Sequence, residues 1–195
     1  MTDTSRPARI AVIGSGFIGH RHIEYIHEEP RCRLAAVVDP DPQTAKLEGR
    51  AGAPYYSNID VFLQEGDADA AIIATPNQTH ANLAIACIEK GLHVLVEKPI
   101  DSLPFEADRV VRAAEDSGVR ILVGHHRRFN SYTAAAKAVI EKELLGRISG
   151  VNVLWTNLKP AAYFEAEWRK ESGGGPVLIN LIHDIDNLRY LFGDI

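Results

Sequence analysis

Cysteine is nearly missing from this chain, with Cys32 and Cys87 the two among 195 residues. They form no C-x-x-C pair, so the thiols point to neither a metal nor a redox centre, and both are expected buried and reduced. An excess of positive charge is missing as well. Lys and Arg number 21 against 26 Asp and Glu, a net charge of −5. The single basic cluster, His125-His126-Arg127-Arg128, is too short for a nucleic-acid footprint. Long apolar runs are also lacking. Residues 1–7 hold no apolar segment of the signal-peptide kind, and no run approaches the roughly 20 residues that cross a bilayer. The resulting expectation is a soluble, cytoplasmic protein with neither nucleic acid nor membrane as partner.

What the chain does have is glycine in a telling place. Gly14-Ser15-Gly16-Phe17-Ile18-Gly19 follows an apolar run at 9–13 and opens a helical segment at 17–28. A second apolar run, 34–38, then ends in Asp39, twenty residues past Gly19. Strand, glycines, helix, strand and terminal acid together are the pattern of a dinucleotide-binding βαβ unit, although a glycine-rich turn of another α/β protein remains an alternative. Each part has a task. Gly14 permits a tight turn, Gly16 lets the backbone approach a pyrophosphate, and Gly19 lets the helix pack close to the strand. Free N–H groups at the helix start suit phosphate. Asp39 suits the ribose hydroxyls, and Asp39-Pro40-Asp41 repels a 2′-phosphate, which favours NAD over NADP.

With 46% hydrophobic residues the chain can bury a core. Strand and helix signals alternate through residue 124, which predicts a doubly wound parallel sheet. A helix is expected at 43–50, an edge segment at 53–56, and a short helix at 58–64 capped by Ser57 or Asn58. A strand at 68–74 breaks at Pro76. A helix at 80–90 stops at Gly91, and a strand at 93–97 ends before Pro99. A helix at 102–117 stops at Gly118, and a last strand covers 119–124. Beyond that the pattern changes. It predicts a helix at 132–145, a long strand at 148–158, a loop with Tyr163, Phe164 and Trp168, and a helix at 177–192 entered through Pro176. The domains are therefore 1–124, a dinucleotide-binding Rossmann domain, and 125–195, a partial α+β domain for substrate and oligomerisation.

Ligands of open parallel sheets bind beyond the carboxyl ends of the strands. Three such ends carry polar residues: Ala74-Thr75-Pro76-Asn77 with His80 following, Glu97-Lys98-Pro99, and 124–129 with Arg127. With Phe17 and Ile18 of the glycine turn, these are the candidate cofactor contacts. Lys98, partly desolvated at a strand end, suits a substrate hydroxyl; the alternative is a surface lysine paired with Glu97. His183 lies on the last helix with Asn180, Asp186 and Asn187 at offsets that share its face; the alternative is a histidine bonded for structure. No metal site is expected, because His183, Asp184 and Asp186 do not converge on one point.

In order, these blocks resemble the Gfo/Idh/MocA family of NAD(P)-dependent oxidoreductases. The resemblance rests on 14–19, on 74–77 with His80, and on 91–99. It continues through 124–129 and ends in Gly173-Gly174-Gly175-Pro176 with His183-Asp184-Ile185-Asp186. It implies a Rossmann domain followed by an open mixed sheet, and oxidation or reduction at a secondary alcohol of a sugar, inositol or related polyol. It also implies that Lys98 and His183 serve the substrate hydroxyl. Many members carry an aspartate four residues before the histidine; Ile179 stands there, and Asn180 beside it is expected to orient substrate or ring. Members also continue further to complete the sheet that builds their homo-oligomers, so a truncated copy is expected here. A non-catalytic NAD-binding protein on the same fold is the alternative.

Overall fold

Short apolar runs separated by glycine and proline punctuation fold here into one parallel sheet. The computed structural model describes residues 6–41, 43, 52–171 and 174–194. Its strands are β1 (Ala8–Ile13), β2 (Cys32–Val38), β3 (Tyr55–Tyr56), β4 (Ala70–Ile73), β5 (His93–Val96) and β6 (Ile121–Val123). All pair in parallel, in the order β3-β2-β1-β4-β5-β6. That is the doubly wound Rossmann order, with the direction of winding reversing between β1 and β4. The crossover helices are α1 (Phe17–Glu28), α2 (Ile59–Glu65), α3 (His80–Glu89) and α4 (Pro104–Ser117).

Alternate residues of each strand serve opposite faces. Ala11 and Ile13 pack with Phe62 of α2, Ala84 and Ile88 of α3, and Val110 of α4. Val12 faces the other way, with Ile72 and with Ile23 and Ile26 of α1. The local signals explain the ends of these elements. Asn58 caps α2 by accepting from the Asp60 amide, and Pro104 occupies the first turn of α4. Cys87 is buried in the core, where desolvation pushes its thiol up to about 12. At the outer end of β1 and β4, Asp69 accepts from both Arg6 and Arg9, and those hydrogen bonds hold its carboxyl well below the usual carboxylate range.

The chain divides into two compact units, Met1–Gly124 and His125–Ile195. The second is irregular. It contains three 3-10 turns (His126–Phe129, Ala161–Glu165 and Glu167–Arg169), α5 (Ser131–Glu141), a π-helical turn (Val177–Leu181) and α6 (Ile182–Phe192). Three expectations need correction. The segment 148–158 forms no strand, because alternation sorts side chains but a strand also needs a ladder partner, and none of the described residues supplies one. The helix expected at 132–145 stops at Glu141, and Glu143 adopts a positive φ of 53° before Gly146. The helix expected at 177–192 opens with the π-helical turn, an extra residue per turn that a 3.6-residue period does not reveal. The helix expected at 43–50 lies outside the described residues, apart from Gln43 in a turn, and so does the side chain of Trp168.

Candidate functional site

Four strand ends stand side by side along the carboxyl edge of the sheet. Gly14 donates its amide to the Val38 carbonyl, Ala74 to Ile13, Glu97 to Ile73 and Gly124 to Val96, at 2.8–2.9 Å. The turn after β1 and the loop after β4 therefore flank the point where the strand order reverses, the usual ligand crevice of such sheets.

The three glycines of the first turn answer to different neighbours. Gly14 has φ of +89°, and a Cβ there would stand 2.7 Å from the Ala74 carbonyl oxygen. A Cβ on Gly19 would collide with the Gly14 carbonyl. Gly16 is different. Its backbone (φ −64°, ψ −169°) suits any residue, and a Cβ would meet no protein atom within 4 Å. Protein packing accounts for Gly14 and Gly19 but leaves Gly16 unexplained. The first turn of α1 has no side-chain cap and no acidic residue, and Phe17 and Ile18 are exposed on it. Its amides are thus open to an anion.

Asp39 closes the far side of this turn. Its Oδ2 accepts from the Ser15 amide (2.7 Å) and hydroxyl (2.9 Å), and its Oδ1 accepts from the Asp41 amide. Ser15 carries this bracing role without having stood out in the sequence; its position between the two first glycines of the motif was the available signal. Beyond β4, Pro76 leads into a 3-10 turn from Asn77 to Thr79, with Asn77 buried and Thr79 Oγ1 2.7 Å from Thr75 Oγ1.

Beyond β5, Glu97 bonds His22 of α1, with Nε2 2.8 Å from Oε1, rather than lying out in solvent against Lys98. Burial pushes the Glu97 carboxyl up, but the hydrogen bond and charge of His22, with the amide and charge of Lys98, outweigh it and hold the group below its ordinary value. A Cβ on Gly124 would stand 2.8 Å from Glu97 Oε2, so the missing side chain at 124 makes room for this carboxylate. Sequence reasoning missed His22. The signal was its spacing, three residues after Gly19 and four before Ile26, the two buried positions of α1. His80 is buried, with Nδ1 2.7 Å from the Pro99 carbonyl and Nε2 2.8 Å from the Thr75 carbonyl.

The other candidates belong to the second unit. His183 is buried on α6, its ring edge-on to His126 with centroids 4.9 Å apart. Asp186, also buried, accepts from Arg128 Nε at 2.8 Å and Nη2 at 2.5 Å, and lies 3.5 Å from His125 Nδ1. Arg127, a candidate cofactor contact, pairs with Asp184 at 3.0 Å. Asn180 sits within the π-helical turn and makes a long 3.5 Å contact to the Tyr163 hydroxyl. Tyr163 also meets Phe164 edge-on and lies under the Lys159 and Arg169 cations. An open hollow of about 540 Å³ is lined by His126, Arg127, Phe129, Asn130, Tyr132, Thr133 and Asn187. Among the described residues no group of three or more His, Cys, Asp or Glu side chains is placed to hold a metal. No helix among them is long and apolar enough to cross a membrane.

Comparison with known proteins bears on both units. Residues 8–125 match the family model described as GFO_IDH_MocA, oxidoreductase family, NAD-binding Rossmann fold. Residues 133–195 match the GFO/IDH/MocA C-terminal domain. The inositol 2-dehydrogenase of Pseudarthrobacter chlorophenolicus is 32% identical over 200 residues, covering 100% of this chain and 56% of that protein. The inositol 2-dehydrogenase of Rhizobium meliloti is 31% identical over 190 residues, 95% of this chain and 55% of that one. Among solved structures, the WlbA dehydrogenase of Bordetella pertussis in complex with NADH and UDP-GlcNAcA superposes with a TM-score of 0.90 at 33% identity, covering 98% of this chain and 57% of that chain. The chain thus spans a little over half the length of these relatives.

Proposed function

The chain belongs to the Gfo/Idh/MocA oxidoreductase family, and from that premise we propose that it is the NAD-binding and catalytic portion of a dehydrogenase acting on a secondary alcohol of a sugar or polyol. Gly16 carries the cofactor half of this reading. Its side chain is missing where the protein itself leaves room for one, beside the open first turn of a helix. A pyrophosphate against those amides is the occupant that requires it. When bound, the dinucleotide supplies the hydride acceptor or donor.

The chain's own residues supply binding, orientation and proton handling. Asp39, held at the end of β2 by Ser15, faces the ribose hydroxyls and disfavours a 2′-phosphate. Ala74, Thr75, Pro76 and Asn77 wall the other side of the crevice. Lys98 donates a hydrogen bond to the substrate oxygen and stabilises the charge that develops on it. His183 takes the hydroxyl proton in oxidation and returns it in reduction, and Asn180 orients the substrate. The names of the inositol-dehydrogenase relatives favour a hydroxyl-rich substrate.

Titration of the protein with NADH and NADPH, read by calorimetry, tests the cofactor half. Saturable NADH binding at least about tenfold tighter than NADPH is expected, and Gly16→Ala weakens it while leaving the unfolding midpoint in place. Equal affinity for the two cofactors overturns the role of Asp39, and no binding overturns the reading. In a polyol screen, turnover that survives Lys98→Ala removes that residue from the chemistry. Tight NADH binding with no turnover on any polyol favours the binding-only alternative.

A further inference from the structure

His80 is bonded through both of its ring nitrogens beside the crevice, and the chemistry above gives it nothing to do. The residue opens α3 and is 1% exposed. Both nitrogens are spent on backbone carbonyls from two different loops. Nε2 reaches Thr75, in the loop after β4, and Nδ1 reaches Pro99, in the turn after β5. Each carbonyl oxygen lies within hydrogen-bond distance of one ring nitrogen, so a single side chain touches both loops. Thr75 belongs to the loop that walls the dinucleotide crevice, and Pro99 follows Lys98. The turn is gripped from the other side as well, since His22 holds Glu97, the residue before Lys98. Lys98 is thus strung between two residues that are each held by a histidine, one from α1 and one from α3.

We propose that His80 is a positioning residue whose two nitrogens do separable work: Nδ1 fixes the Lys98 turn through Pro99, and Nε2 fixes the cofactor-side loop through Thr75. This deepens the reading of Lys98 and of the Thr75 loop given above and rests on it for their roles. The separation follows from geometry. An asparagine amide nitrogen falls near the place of Nδ1, and a glutamine amide nitrogen near that of Nε2. His80→Asn therefore keeps the Pro99 bond and loses the Thr75 bond, whereas His80→Gln does the reverse.

Two readouts follow the two arms. NADH affinity, measured by titration, reports the Thr75 loop; the rate at which a water-soluble acylating reagent modifies Lys98, measured by peptide mass spectrometry, reports the turn. His80→Asn is expected to weaken NADH about tenfold with Lys98 labelling unchanged. His80→Gln is expected to alter labelling about tenfold with NADH affinity unchanged. A residue serving only general stability moves both readouts together in both variants, and that parallel result overturns the proposal, as does no change in either. A further measurement needs no substitution. In protein labelled with 15N-histidine, a ring N–H proton of His80 is expected to be visible and slow to exchange with solvent; a ring that exchanges freely overturns the bridge. Failure of the catalytic reading looks different. Turnover surviving Lys98→Ala removes Lys98 from the chemistry and leaves the split between Asn and Gln intact.

Discussion

Every buried hydrophobic residue among those described lies before His125, the last being Ala114, while the buried side chains after it are His183 and Asp186. The Rossmann unit is held by apolar burial on both faces of a sheet. The second unit is held by charge and ring contacts. Arg127 pairs with Asp184, Arg128 pairs with Asp186, and the Arg128 and Lys137 cations lie over Tyr190. Several of its large apolar side chains, Phe129, Leu144, Leu154 and Leu158 among them, are exposed, and others, such as Ile185 and Leu188, are only half-buried. Non-directional burial tolerates salt and acid, whereas paired charges answer to both. The same length of chain is thus stabilised in two ways, and each way fails under a different stress.

Deleting apolar bulk draws the sharpest contrast. Phe62 is 2% exposed and packs edge-on to Tyr56, with ring centroids 5.6 Å apart. Phe62→Ala is expected to destabilise the Rossmann unit by about 3–5 kcal/mol, the transfer and cavity costs of a buried aromatic ring. Leu154 is 93% exposed, and Leu154→Ala is expected to change stability by less than about 0.5 kcal/mol. Denaturant melts of the two variants compare them directly. A large loss for Leu154→Ala would mean that the second unit holds an apolar core after all.

Charge removal turns the comparison around. Burial pushes the Asp186 carboxyl up, but its hydrogen bond to Arg128 and the nearby charges of His125, Arg128 and His183 hold it below its ordinary value. A carboxyl whose folded pKa is depressed stabilises the fold above its unfolded pKa, near 3.8, and loses that contribution as pH falls through the folded value. The second unit is therefore expected to loosen progressively as pH falls below about 4. Asp69 of the Rossmann unit also loses its arginine pairing in acid, but the apolar core there supplies stability that protonation leaves in place. Amide exchange, corrected for the intrinsic effect of pH, should therefore show α6 losing protection before β1 and β4 do. Asp186→Asn is expected to produce the same order of loss at neutral pH, about 1–2 kcal/mol, at the modest end because Arg128 is partly exposed. Simultaneous loss in both units would erase the distinction.

The same contrast explains which features could be read in the residues. The Rossmann unit is written in local signals: apolar runs, glycines at turns, and prolines that end strands, each acting within a few residues. Gly14 and Asn58 are such cases, the first needing a positive φ and the second capping a helix. The pairings that hold the site in order were less visible. Glu97 with His22 and Pro99 with His80 are 75 and 19 residues apart, and no periodicity links them. In the second unit the 148–158 segment alternates as a strand does, yet strand formation depends on a partner that a single segment cannot encode. The π-helical turn at Val177–Leu181 was hidden for a related reason, since it shifts the offsets on which the grouping of Asn180 with His183 was based.

The smallest expected effect gives the most closely matched comparison, because the same cap occurs once in each unit. Asn58 accepts from the Asp60 amide at 2.7 Å at the start of α2, and Asn130 accepts from the Tyr132 amide at 2.9 Å at the start of α5. Either asparagine replaced by alanine forfeits about 1 kcal/mol of helix stability. The helices differ in what else holds them: α2 buries Phe62, whereas α5 buries none of its residues. In Asn58→Ala the loss is shared with the core, so all of the Rossmann unit should destabilise together and its exchange pattern should keep its shape. In Asn130→Ala no fully buried side chain of the helix shares the loss, so the first turn of α5 should fray alone, with about fivefold faster exchange at its leading amides. Residue-resolved exchange on the two variants separates these outcomes. Uniform loss across the second unit in Asn130→Ala would show that its ion pairs act as cooperatively as a hydrophobic core.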